Sequence, residues 1–314
     1  MLSRVAERLY WSARYLERVE NTARLVSVYD ELLFDLPREV EISWYNLITI
    51  NSGTEAFEQR YKNKDERNVV KFLLSDDTNS SSMLSSLKMV RENIRTTRDV
   101  LPQEMWELVN ELDLFARQNI KQGINRSERH AFLNTIIEGC QKVVGLLAAT
   151  MCRDAGWHFM IMGRYIERAD MNTRILDAAV SQMLLSEEDE VIKLGQVIWT
   201  KVLKSQSALL NYRRTVRSTV NGAKAVSFLM MDDYFPRSQK YCMTQIREAA
   251  STLPRSGLIA ANIDKLLEET NAVESSEELN QDYREHLNDI QVAIIELNHQ
   301  ITENWFYFRQ GDAA

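Results

Sequence analysis

Apolar residues recur every three or four positions along nearly the whole chain. Val5, Leu9, Ala13, Leu16, Val19 and Ala23 form the first stripe, a spacing that gathers side chains on one face of an α-helix. It predicts a long helix over residues 2–34, with Pro37 closing that stretch. Further helices are expected around 42–50, in one or more pieces up to Leu74, over 83–100, from Pro102 to about Gln122, and from a cap at Ser127 to about Thr150. "DDTNSSS" reads as a turn in which Asn79 or Ser80 caps the next helix, and Gly123 reads as a break. The second half is expected to carry helices over 155–185, 191–213 and 223–231. Others should run from a cap at Ser238 to Leu253, from Pro254 to Thr270, and over 283–308. "NAVESSEELNQD" reads as an acidic connection. No alternating β-branched run lies between turn signals, so no sheet is predicted. The fold class is all-α.

One phrase occurs twice in this pattern. "ARYLERVENTARLV" starts at Ala13 and "GRYIERADMNTRIL" at Gly163. Arg14, Tyr15, Glu17, Arg18 and Arg24 thus match Arg164, Tyr165, Glu167, Arg168 and Arg174. Trp44, Leu47 and Ile48 likewise precede Trp199, Val202 and Leu203. "FLLSDD" at Phe72 precedes "FLMMDD" at Phe228, and Leu133–Asn134 precedes Leu287–Asn288. The blocks keep their order with little drift, which implies a tandem duplication. Repeat 1 covers about 1–150 and repeat 2 about 151–314, each a set of five or so helices. The join, "LLAATMCRDAGW", is apolar and no Pro- or Gly-rich linker separates the copies. The expectation is one domain, 1–314, whose halves share a core about a pseudo-twofold axis.

The repeated phrase carries the candidate chemistry. Arg14, Glu17, Arg18 and Asn21 share one side of a helix. The second copy is apolar nearly all round, which predicts a buried helix whose charges need partners. One reading is a structural ion network, with Arg14, Arg18, Arg164 and Arg168 pairing across the axis with Glu17, Glu20, Glu167 and Asp170. The other is a polar pocket in which these residues, with Tyr15 and Tyr165, hold an anionic or zwitterionic ligand such as a peptide terminus. Guanidinium forks suit carboxylates. Arg237 and Ser238 open a helix, where free N–H groups could hold an anion. The plainer reading of that corner is an N-cap beside a surface arginine. Ser81 stands where the second copy has Arg237, so any such site is asymmetric.

Composition narrows the function classes. A net charge of −7 argues against nucleic acid as the main partner. Three cysteines form no metal-ligand spacing, which points to reducing cytoplasm. Cys140 and Cys152 are expected to be buried thiols. The longest apolar stretch, "VVGLLAATMC", is short for a bilayer, so no membrane association is expected. Glu296 and His299 make one E-x-x-H, and a carboxylate-bridged metal site would need a second. Glycine-loop and nucleophile-elbow motifs are lacking. No metal, no cofactor and no catalytic activity of the chain's own are expected. The rival reading is an enzyme using Glu17, Glu20, Glu167 or Asp170 as general acid or base, and a third is a purely structural scaffold.

At "LSRVAERLYWSARYLERVENTARLV" the chain resembles the bacterial alpha-E domain family. "RENIRTTRDVLPQEMWELVNEL", "GWHFMIMGRYIERADMNTRILD" and "FLMMDDYFPRS" extend the resemblance to the full length. It implies an all-helical domain that works with a circularly permuted ATP-grasp amidoligase, near transglutaminase-like and proteasome-like peptidase proteins. The implied setting is ATP-driven synthesis or modification of a peptide, with the ATP chemistry in the partner. The family pattern carries most directly onto Arg14, Tyr15, Glu17, Arg18, Glu20, Arg164, Glu167, Arg168 and Asp170. It implies no catalytic residue.

Overall fold

The computed structural model describes residues 1–35, 42–184, 188–271 and 279–307. Among them are fourteen α-helices and no strand. The first seven are α1 Ser3–Asp35, α2 Asn46–Ile50, α3 Thr54–Arg60, α4 Glu66–Leu74, α5 Met83–Arg95, α6 Gln103–Ile124 and α7 Arg126–Thr150. The second seven are α8 Ala155–Leu184, α9 Glu188–Ser205, α10 Leu209–Thr215, α11 Gly222–Met231, α12 Gln239–Ser251, α13 Gly257–Asn271 and α14 Gln281–Trp305. Pro37 and most of the acidic connection lie outside the described residues.

The two longest helices, α1 and α8, pack on each other at the centre. Their approach is close because residue 163 is glycine: a Cβ there would sit 2.2 Å from the Tyr10 carbonyl oxygen. Both helices bury most of their circumference. Leu9, Tyr10, Val19, Ala23 and Val26 are sealed on α1, and Met162, Ile166, Ala169, Leu176 and Val180 on α8. A helix apolar on nearly all sides has to be surrounded. The surroundings are alike on the two sides. α5 and α7 flank α1, with α6 against both; α12 and α14 flank α8, with α13 against both. α9 reaches across to α1, and α2 to α8.

Several expected boundaries move, for local reasons. Ser82 caps α5, its hydroxyl accepting from Ser85 N–H, while Asn79 turns back to Phe72 O and Ser81 N–H. Asn125, not Ser127, caps α7. Gly123 does not break α6. It lies inside the helix, and the Phe132 ring packs where a Cβ would be, 2.7 Å away. α5 stops at Arg95, where the Thr96 and Thr97 hydroxyls both donate to Asn93 O, and a single 3-10 turn follows. The expected helix over 191–213 is two helices, because Ser207 takes a positive φ of 54°. Ser52, between α2 and α3, does the same at 53°. Each half therefore has seven described helices rather than five or so.

Among the described residues one helix, α7, is long and apolar enough to cross a membrane by length and composition alone. Here it turns Phe132, Leu133, Ile136, Cys140 and Val143 inward and packs on α1 and α6.

An arginine–glutamate cluster between the central helices

Tyr10 meets Gly163, Glu17 meets Arg168, and residues 25–32 share a cavity with residues 175–182. The central helices therefore run in the same direction, with equivalent turns of the repeated phrase side by side. This brings Glu17 and Glu167 to the middle of the interface.

The two carboxylates are bound reciprocally. Arg168 donates from Nε and Nη2 to the two oxygens of Glu17, each at 2.8 Å. Arg18 donates from Nε and Nη2 to the two oxygens of Glu167, at 2.5 and 3.0 Å. A third partner joins each. Arg14 Nε and Nη2 lie 2.9 and 2.8 Å from Glu167 Oε2. Arg237 Nη1 lies 3.0 Å from Glu17 Oε1, and also reaches Asn21 Oδ1 at 2.8 Å and, through Nη2, Glu20 Oε1 at 2.9 Å. Arg18 and Arg168 each lie over the tyrosine three residues before them, Tyr15 and Tyr165, at 5.5 and 5.2 Å.

An outer layer repeats the arrangement. Arg24 pairs with Glu20 at 2.8 Å and Arg174 with Asp170 at 2.9 Å, each along its own helix. Arg24 Nη1 then donates to Ser207 Oγ, and Arg174 Nη1 to Ser52 Oγ. The two left-handed serines thus receive arginines from the opposite half.

Burial and charge set the ionisation. Burial alone would raise the Glu17 carboxyl, but Arg168 and Arg237 overcome it and hold the group at about 2. Glu167 is likewise held at about 2, with Arg18 and Arg14 outweighing burial. Both are anions at neutral pH with their oxygens occupied. The buried Tyr10 hydroxyl is pushed up to about 12 and donates to Asn298 Oδ1 at 2.6 Å, the same oxygen that Arg14 Nη1 reaches at 2.7 Å.

The structure brings together Arg14, Tyr15, Glu17, Arg18, Glu20, Tyr165, Glu167, Arg168 and Asp170, but not in every expected pairing. Glu20 and Asp170 do not pair with Arg14, Arg18, Arg164 or Arg168. Their positions, one turn along each helix, put them beside Arg24 and Arg174 instead. Among the described residues Arg164 has no hydrogen-bond or ion-pair partner, although it is only 7 % exposed. The corner at Arg237 and Ser238 presents no surface arginine. Arg237 is buried on Glu17 and Glu20, and the Ser238 hydroxyl accepts from Tyr241 N–H as an N-cap.

The sequence reading missed Asn298 and a buried arginine outside the cluster. Arg129 is 1 % exposed and bridges Asp30 at 3.0 Å and Glu66 at 2.8 Å. It also donates to the Gly123 and Ile124 carbonyls at the end of α6. Its partners are far apart in the chain, so spacing carries no trace of them. Cys152 is exposed rather than buried, whereas Cys140 and Cys242 are buried. Glu296 and His299 are exposed, and no group of metal-ligating residues occurs among the described residues. Beyond the cluster, α1 and α8 part around a largely apolar cavity of about 80 Å³, lined by Leu25, Tyr29, Ile175, Ala179 and Val202 among others.

An uncharacterized protein of Mycobacterium bovis is 23% identical to this chain over 273 residues, and so is one of Mycobacterium tuberculosis. The match takes in 81% of this chain but 30% of each relative, so the chain spans under a third of their length. No solved structure matches. Residues 1–306 match the Alpha-E family, described as a predicted alpha-helical domain with a conserved ER motif. With that match over nearly its whole length, an all-helical fold and Glu-Arg pairs at its centre, the chain belongs to the Alpha-E family.

Proposed function

We propose that this protein is a non-catalytic accessory component of an ATP-grasp amidoligase system, binding the partner enzyme, the peptide, or both. The observation that carries the reading is the state of Glu17 and Glu167. Held at about 2 by flanking arginines, they are the wrong groups to take up or release a proton near neutral pH. This speaks against Glu17 and Glu167 as the general acid or base of the rival reading; its other two candidates, Glu20 and Asp170, are ion-paired with Arg24 and Arg237 and with Arg174. The cluster instead fixes how two long helices meet, so the outer helices are presented on a rigid frame. The ER motif of the family is, on this reading, Glu17–Arg18 with Glu167–Arg168.

The partner class comes from the family resemblance, and a transglutaminase-like protein is a further candidate in the same cytoplasmic system. The relatives support a component role, since the region like this chain is 30% of a longer protein. The reciprocal contacts support descent of the two halves from one ancestral unit. Within the cluster, a peptide would find its contact at Arg164, a guanidinium with no hydrogen-bond partner among the described residues. The test is co-purification with the circularly permuted ATP-grasp protein, with ligase product measured in a deletion strain. Association and a drop in product are expected. Absence of association with unchanged product would remove the proposal.

A further inference from the structure

Arg164 is a cation withdrawn into the protein that makes no ion pair with any described residue. Its nearest acids, Glu17 and Glu20, are already taken: Arg168 and Arg237 hold Glu17, and Arg237 and Arg24 hold Glu20. Burial, then the neighbouring Arg168, push its guanidinium toward losing charge. An unpaired buried charge is strongly destabilising. The residue is 7 % exposed, so it is withdrawn from bulk water but not sealed off.

Arg14, in the same place in the first phrase, shows what is missing. Its guanidinium is closed by the Glu167 carboxylate and the Asn298 amide oxygen from α14. Counted from the helix starts, the position on α7 that corresponds to Asn298 is Val143, followed by Val144. Neither can accept a hydrogen bond. On the Glu17 side, Arg237 is the third partner, on Oε1, whereas Arg14 joins Glu167 on Oε2; the first half has Ser81 at the position of Arg237, 3.4 Å from Arg18 Nη1. Glu17 thus has its third arginine without Arg164, and the α7 position matching Asn298 offers no acceptor.

We infer that Arg164 is a binding residue for the carboxylate of a ligand from outside the chain, a small acid or a peptide C-terminus. A carboxylate matches the fork of the guanidinium and supplies the oxygens that Arg14 receives from protein groups. Its single charge suits a position near Glu17 and Glu20, which would repel a phosphate dianion. The inference rests on the binding half of the function proposed above, not on the ATP-grasp association. A purified chain can show carboxylate binding while co-purification fails, and the reverse.

The test is thermal unfolding of the full chain at neutral pH and constant ionic strength. The probes are sodium acetate, the dipeptide Ala-Ala, Ala-Ala amide, inorganic phosphate and sodium chloride. Acetate and Ala-Ala should raise Tm by about 2–3 °C at ten times their half-saturating concentration, and the amide and chloride should not. A larger response to Ala-Ala than to acetate identifies a peptide terminus; equal responses identify a small acid. Arg164→Met should be insensitive to both, and in chloride should melt no lower than wild type. Arg164→Lys, which keeps the charge and loses the fork, should bind at least fivefold more weakly, and decides the matter if Arg164→Met does not fold. A wild type indifferent to carboxylates, an equal response to the amide or phosphate, or a full response in the variants would overturn the inference.

Discussion

Arg168 grips Glu17 at two points, each 2.8 Å long, although the residues stand 151 apart in the chain. A planar fork against a planar carboxylate tolerates little sliding or rotation. Arg18 on Glu167 adds a second such contact. Together they fix the register of α1 and α8. A buried pair of this kind specifies geometry more than it stabilises, but breaking it from one side is costly. Glu167→Gln would leave Arg14 and Arg18 without their carboxylate. The expected loss is about 3–5 kcal/mol in chemical denaturation. A loss under about 1 kcal/mol would mean that the cluster does not hold the helices together.

Acid should unfold the protein through the same two groups. The folded Glu17 and Glu167 titrate at about 2, below the ordinary value of 4.5. A depressed carboxyl stabilises the fold above its unfolded pKa, and that contribution is lost as pH falls through the folded one. Stability should therefore fall as pH drops from about 4.5 to about 2, by roughly 3 kcal/mol per group. Tm measured against pH checks this, and Glu167→Gln should flatten the acid limb.

The close approach of the central helices depends on Gly163. An added methyl would lie 2.2 Å from the Tyr10 carbonyl oxygen, a backbone atom that no side-chain rotation can move. Gly163→Ala should cost about 1–3 kcal/mol or more as the helices part. It should also loosen the ion cluster, visible as faster amide exchange around Glu17 and Glu167. Gly145 on α7 faces open space, and Gly145→Ala should be neutral or slightly stabilising by helix propensity.

Thiol chemistry reports on the packing around the cluster. Cys140 and Cys242 are buried. Burial pushes Cys242 up to about 12 even though Arg168 opposes it, and raises Cys140 as well. Cys152 is exposed. A disulfide reagent at pH 8 should modify one thiol per chain quickly and the other two only on unfolding. Fast modification of all three would contradict the buried placement of Cys140 and Cys242.

What the sequence determined by itself was the set of long helices and which residues would need partners. The periodicity of α1, α8, α7 and α14 is local information, carried by neighbours three and four apart. Glu167 could be singled out because a charged residue on a helix apolar nearly all round must be matched, and Glu17 because the repeated phrase puts it in the same place. Which partner matches it was a tertiary decision. Arg237 comes from a loop about 220 residues away, and its place beside an N-cap serine suits an anion corner or a surface arginine equally and gives no sign of Glu17. Asn298 and Arg129 left no sign in the spacing of their partners. The short breaks at Ser52 and Ser207 likewise arise where an arginine of the opposite half reaches in. Helix propensity acts over a turn or two, whereas a buried ion pair is chosen by whichever charged groups the packed helices bring within about 3 Å. Arg164 is left over by that selection.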